Sequence, residues 1–357
     1  MVTFPSLSKA TEHVMFSSLT VLSHECQQDV ENENNYNGIT DHFSFWLYRD
    51  SKIETLNVVV RPMFWKEIFD LKLIFLECSY FKRAIIDFSI YYSFKPKHHY
   101  IMASKQNILA HASITRWNEQ YALLGVVFVR KDYRKFGLGE LLTNYVLEMI
   151  EQKCVRSIHA NCLTEHLPFY IRYGFKASFS IVGLSGKLNE FLHMDPFKYQ
   201  TSAPQIDQEQ IIIELFETSD ILDLASYDRN MYPTYRINYF EQLREHTISI
   251  AGYVAKSAKT GTIYGYVILN FSQDYIKCGP LYCDNDYIAM LLLKQCAIDY
   301  DGIMLLCIPE DNRTALKCFE SKSFKRTDIL HRVYTGNMFE TNFQKIWAIT
   351  DDWFCLL

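Results

Sequence analysis

The feature that most constrains the fold is a helix whose face is written almost without error. Leu138, Leu141, Leu142, Tyr145, Val146, Met149 and Ile150 follow the i, i+3, i+4, i+7 spacing of an amphipathic helix. Immediately before it stand the paired glycines of Arg134-Lys135-Phe136-Gly137-Leu138-Gly139, and before those a valine-rich strand, Val126-Val127-Phe128-Val129. Strand, tight loop and helix in that order imply an α/β architecture. The chain holds only 13 glycines in 357 residues, so two within three positions carry information.

A helix start leaves several backbone N–H groups without partners, and with the helix dipole they make an anion site. Glycine keeps side chains off those amides, while Arg134 and Lys135 add positive charge for phosphate oxygens. The plainer alternative is a strand-to-helix turn with solvated charges. Two familiar phosphate motifs fit poorly: there is no third glycine for GxGxxG, and no Gly-Lys-Ser or Gly-Lys-Thr.

Length divided by about 150 residues per domain suggests two domains. Periodic patterning begins near residue 53. Leu56 to Val60 reads as a strand, Phe64 to Phe81 as a helix, and Tyr100 to Ala103, Ile108 to Ile114 and Tyr121 to Val129 as strands. Ser157 to Cys162 suits another strand, and Glu165 to Tyr173, closed by Gly174, a short helix. The expected organisation is an N-terminal arm over 1–49, containing the polar stretch Gln27 to Asn35, then a first domain over 50–200. A linker over 201–208, a second domain over 209–340 that repeats the same coarse order, and a C-terminal tail over 341–357 follow.

Net charge is -5, which argues against whole-chain attraction to nucleic acid or an anionic membrane, and no partner of either kind is expected. No stretch approaches the ~20 apolar residues of a membrane span. Ten cysteines show no CxxC pair and no histidine at zinc-finger spacing, so no metal is expected. Most lie in apolar runs as buried reduced thiols would, and the expectation is a soluble, cytoplasmic protein.

The whole block resembles the GNAT superfamily of acetyltransferases, whose signature is a valine strand, then Arg or Gln-x-x-Gly-x-Gly or Ala, then a helix. Val129 lies five residues before Arg134, as that signature has it, and Phe169-Tyr170-Ile171-Arg172-Tyr173-Gly174-Phe175 resembles the family's later Phe-Tyr-x-Lys-x-Gly-Phe segment. The resemblance covers roughly residues 50–200. It implies an acyl-CoA N-acyltransferase fold with a mixed sheet, acetyl-CoA or another acyl-CoA as cosubstrate, and an amine acceptor. The backbone of Val127, Phe128 and Val129 would pair with the pantetheine arm, a form of strand addition. The amides of Arg134, Lys135, Phe136, Gly137, Leu138, Gly139 and Glu140 would hold the pyrophosphate. Gly125 could mark a bulge that splays the sheet there, or a packing glycine.

Tyr170 matches the position often assigned to the acid that protonates the leaving thiolate, its other reading being core packing. The family's Asn about seven residues earlier is replaced by Leu163, with Asn161 and Thr164 only nearby. Glu119 and His111 are the candidate general bases, although a lone His on a strand is more often structural. A CoA-binding pseudoenzyme or sensor is the alternative to an enzyme.

The second domain resembles a GNAT fold without its phosphate loop. Lys277-Cys278-Gly279-Pro280-Leu281-Tyr282-Cys283-Asp284-Asn285 stands where the signature belongs, as a turn that would cradle pyrophosphate poorly. Ile308 to Phe324 keeps the family's Asn, with Phe319 at the tyrosine position. This pattern is similar to the C-terminal domain of tandem GNAT proteins of the YitH/HolE type, including expanded nematode sets. It implies one cofactor site per chain, in the first domain.

Overall fold

Alternating apolar residues in the first segment build a meander. The computed structural model describes residues 40–351, apart from 50–51, 77–87, 89–91, 93–97, 106, 117, 152–154, 203–210, 233, 246–249 and 273. The polar stretch at 27–35 and most of the linker lie outside the described residues.

The chain forms two compact units, residues 1–82 with 95–155 and residues 83–94 with 156–357. In the first unit β1 (Asp41–Arg49), β2 (Lys52–Pro62), β3 (His99–Ser104), β4 (Asn107–Arg116) and β5 (Tyr121–Val129) pair antiparallel in chain order. The last nine residues of the expected arm are thus a strand. A 3-10 turn over Trp65–Glu67 leads into α1 (Ile68–Leu76), inside the stretch read as a helix from 64 to 81. Asn118 makes the β4–β5 turn by accepting the amides of Gln120 and Tyr121 at 2.8 and 2.9 Å. The helix α2 (Leu138–Glu151) buries Leu138, Leu142, Val146 and Ile150. Each such side chain contributes about 1.5–3 kcal/mol when fully withdrawn from water.

The second unit contains β6 (Ser157–Leu163), α3 (Leu167–Arg172), β7 (Lys176–Lys187), β8 (Ile211–Leu215), α4 (Ile221–Asp228), α5 (Ile237–Glu245), β9 (Ile250–Ser257), β10 (Ile263–Phe271), β11 (Ile276–Cys283), α6 (Asp286–Asp299), β12 (Ile303–Pro309), α7 (Arg313–Ser321), β13 (Lys325–Tyr334) and β14 (Ile346–Ala348). Its strands run in the order β6-β13-β7-β12-β11-β10-β9-β8, with β14 on β11. Residues 277–283, expected as a turn, are therefore strand, and the junction to the next helix is only Asp284 and Asn285.

That order interleaves the two sequence segments. β13, from the second, lies between β6 and β7 of the first, and β7 lies between β13 and β12. Each segment supplies the strand that the other would otherwise lack. This is why the compact units divide the chain at 155/156 and the sequence pattern divides it near 200: residues 156–200 are committed by hydrogen bonding to the later segment. A single apolar core follows from the exchange, joining Val182, Leu184 and Phe191 to Leu292, Phe319, Phe324 and Trp347. No helix among the described residues is long and apolar enough to cross a membrane.

Candidate functional site

β5 does not run straight to its end. Ser113 of β4 stands opposite Gly125 and His111 opposite Phe128, so Val126 and Val127 together face one β4 residue, a bulge. The sequence pointed to Gly125, but the residue in the left-handed region is its neighbour Val126, at φ +47°. For a β-branched residue this conformation is strained by ~1–3 kcal/mol and needs neighbours to hold it. They are present. Ser113 Oγ donates to Gly125 O at 2.9 Å, and His111 Nδ1 lies 2.9 Å from Val126 O. The His111 Nε2 in turn lies 3.3 Å from His99 Nδ1.

His111 is fully buried, and burial holds its pKa down at about 4, so the ring is neutral at pH 7. Both of its nitrogens are occupied by the strut between His99 and the bulge. The geometry assigns it to positioning Val126, and not to taking a proton from a substrate. Glu119 is exposed at the β4–β5 hairpin tip. Six residues of strand separate Tyr121 from Val127, roughly 20 Å at the usual rise. The structure does not bring Glu119 to the end of β5 where the sequence placed the chemistry. His111 is thus placed under the Val126 bulge, and Glu119 at the exposed hairpin tip.

Past Val129 the chain makes a 3-10 turn over Lys131–Tyr133 and then enters the glycine loop. Lys135 and Gly137 both take positive φ, +68° and +79°. A Cβ on Gly137 would meet open space, so glycine is there for the backbone conformation. Gly139 has a different role, because a Cβ there would come within 3.1 Å of Val129 Cγ2. Its absence lets the start of α2 sit against the end of β5. The first bond of the helix is Leu141 N–H to Gly137 O at 3.0 Å. The amides of Lys135, Phe136, Gly137, Leu138 and Gly139 meet no acceptor among the described residues. These donors lie at a helix N-terminus beside a bulged strand end, an arrangement that suits an anion.

Arg134 is folded back along the strand. Its Nε donates to Val129 O at 2.9 Å, and its guanidinium lies 6.0 Å from the Phe128 ring centre. The side chain thereby ties the loop to the strand. Arg130, which the motif did not mark, has a buried Nε that meets no acceptor among the described residues. Glu140 is exposed in the first helical turn, and Leu138 is buried beneath it.

In the second unit Tyr170 lies in α3, buried, with Phe169 and Phe175 edge-on at 5.4 and 5.5 Å. Its carbonyl accepts the amides of Tyr173 and Phe175, and Gly174, at φ +79°, closes the helix as expected. The displaced Asn also finds an account here. Asn161 Oδ1 accepts Arg332 Nε at 2.7 Å, and Thr164 Oγ1 lies 3.0 Å from His331 Nε2. Both partners belong to β13, so these side chains serve the strand exchange. Among the described residues no group of His, Cys, Asp or Glu gathers as metal ligands do.

Known proteins share this fold. Residues 77–185 and residues 224–348 each match a family model described as an acetyltransferase (GNAT) domain, together more than half of the chain. The uncharacterized N-acetyltransferase YitH of Bacillus subtilis is 23% identical over 205 residues, which cover 57% of this chain and 66% of that protein's length. Among solved structures, a putative acetyltransferase from Pyrococcus horikoshii superposes with a TM-score of 0.64 at 17% identity, over 83% of this chain and 95% of its own. A tandem GNAT protein from the clavulanic acid biosynthesis pathway superposes with a TM-score of 0.51 at 12% identity, over 72% of this chain and 89% of its own. The chain belongs to the GNAT superfamily of acetyltransferases and carries two such domains in tandem.

Proposed function

We propose that the chain transfers an acyl group, acetyl foremost, from acyl-CoA to a primary amine of a small molecule or a protein. The observation that carries this is the run of five amides without acceptors at the start of α2. Arg134, Lys135, Phe136, Gly137, Leu138, Gly139 and Glu140 would surround the pyrophosphate, and the edge of Val127, Phe128 and Val129 would align the pantetheine. The amine nitrogen attacks the thioester carbonyl, the C–S bond breaks, and the thiolate takes a proton as the new ammonium loses one. Amides of Phe128 or Val129 would meet the oxyanion, and Tyr170 would supply the proton to sulfur.

Charge separates the binding claim from simple backbone strain. Gly137→Glu and Gly137→Gln impose the same left-handed penalty, but only Glu sets a carboxylate against the diphosphate. Calorimetric titration with acetyl-CoA is expected to show Glu weaker than Gln by about tenfold, ~1.4 kcal/mol. Equal affinities of the two variants, with folding intact by circular dichroism, would remove the site.

Tyr170→Phe tests the chemistry. It keeps the aromatic packing and removes the hydroxyl, so kcat on a responsive amine should fall by about 10²-fold or more while acetyl-CoA affinity stays within about twofold. Loss of both in equal measure would return Tyr170 to packing alone. A second reading, a CoA-binding protein without turnover, is favoured by the fate of both base candidates: His111 is a buried strut and Glu119 lies far along the strand. Thiol release across an amine panel decides it, since a binding protein releases none above the rate in buffer.

A further inference from the structure

β11 and β12 are paired, in parallel, only near their starts, at Ile276 with Met304 and Lys277 with Leu305. Beyond that point they part, and the opening is filled by the chain's own C-terminal residues. Leu281 and Tyr282 of β11 pair antiparallel with Ala348 and Ile346. On the other side Ile349 N–H donates to Cys307 O of β12 at 2.9 Å, and Asn312 Nδ2 donates to Ile346 O at 2.9 Å. The fit is close enough that a Cβ on Gly279 would lie 2.2 Å from Ile349 O.

Side chains fix both ends of the inserted run. At the junction between β11 and α6, Lys345 Nζ donates to Asp284 Oδ1 at 2.8 Å. Deeper in, Thr350 Oγ1 accepts from Arg236 Nη1 at 3.0 Å and lies 2.9 Å from the Tyr282 hydroxyl. Asp351 forms a buried ion pair with Lys277. Trp347 is wholly buried in the core beside Phe319. At the head of α6, Asn285 Oδ1 accepts Ile288 N–H at 3.1 Å, so the protein's own side chain caps that helix.

We propose that residues 345–351 are a built-in occupant of the second domain's donor cleft, so that the chain takes one acyl-CoA and the second domain takes a peptide, its own. The run follows the path the first domain is proposed to offer pantetheine, from the strand-helix junction along a strand edge by strand addition; in the second domain that edge is open because β11 has parted from β12. The Asn at the head of α7 is committed to the peptide, donating to Ile346 O while capping Ala315 N–H at 3.0 Å. This inference rests on the acyl-CoA reading of the first domain for its stoichiometry, and on the second unit alone for the peptide.

The test has two arms on the full chain. Titration with acetyl-CoA is expected to give one equivalent per chain, and two equivalents would overturn the proposal. Hydrogen exchange at Ile346–Ile349 is expected to be as slow as in β11 and unchanged by saturating acetyl-CoA. Exchange at the rate of an open chain, or release on adding acetyl-CoA, would overturn it too. A complete failure to bind acetyl-CoA would sink the reading of the first domain, and the exchange arm would still decide the peptide. Thr350→Val keeps the shape and removes the bonds to Arg236 and Tyr282. It should speed exchange of the run by about tenfold, a loss of one hydrogen-bonded anchor, with acetyl-CoA affinity unchanged. No change in exchange in that variant counts against the anchoring.

Discussion

A chain ended at residue 200 is expected to lose the cooperative thermal transition of the full protein, although it contains every residue of the first GNAT signature. β7 is held on both edges by strands of the later segment, from Lys176 against Tyr334 to Ser185 against Lys325 on one side and from Ile181 against Pro309 to Lys187 against Ile303 on the other. β6 would lose β13 as well. The apolar cost is larger than the hydrogen-bond cost, because water can satisfy the freed amides but not the side chains. Val182, Leu184, Leu188 and Phe191 belong to the core cluster shared with the later segment. At ~1.5–3 kcal/mol for each of four buried side chains, the loss is of the order of a whole domain's net stability, ~5–15 kcal/mol. Circular dichroism melts of residues 1–200, with and without co-expressed 201–357, make the measurement. A sharp transition of the shorter chain within about 5 °C of the full protein, a shift of ~1 kcal/mol or so, would mean that the exchange adds little.

The exchange marks where sequence patterning stops being informative. Strand β5 and helix α2 could be placed almost to the residue, because a strand's alternation and a helix's 3.6-residue period are written within a dozen positions. The conformation of the glycine loop was equally legible, since it is set by consecutive residues and Gly137 advertises its own left-handed backbone. What β7 and β13 pair with is not local information. Both are sound strands in either partner's sheet, and nothing within residues 176–187 distinguishes a neighbour 20 residues away from one 150 residues away.

The same limit explains the base candidates and the tail. His111 and Glu119 are both on or beside neighbouring strands in the sequence, and only the register reveals that one faces the Val126 bulge and the other the far hairpin tip. Residues 341–357 look like a tail because they follow the last periodic element. A signal was present in Ile346-Trp347-Ala348-Ile349, an apolar run with nothing to gain from solvent, but it names no partner. The cleft it enters exists only because β11 and β12 diverge after two paired positions.

The largest single-residue effect is expected at Arg236, where the second domain buries a guanidinium with its counter-ion. Arg236 Nε and Nη2 meet Asp228 at 2.8 and 2.5 Å, and neither side chain is exposed. Tyr266 donates to the same carboxylate, while the rings of Tyr232 and Tyr239 lie 4.6 and 5.1 Å from the guanidinium carbon. The pair is fully hydrogen-bonded, so removing one partner strands the other in a medium that cannot solvate it. Arg236→Met should therefore cost about 3–5 kcal/mol in urea unfolding, several times the loss for an exposed ion pair. Adding Asp228→Asn removes the stranded charge yet leaves an oxygen for the Tyr266 hydroxyl, so the double variant should recover part of that loss. A single variant within about 1 kcal/mol of the parent, or a double variant no better than the single, would show that the charge is not what makes the site fragile. Because Arg236 also holds Thr350, the single variant should loosen residues 345–351 before the rest of the core opens, and faster exchange at Ile349 under native conditions would link the buried pair to the peptide it anchors.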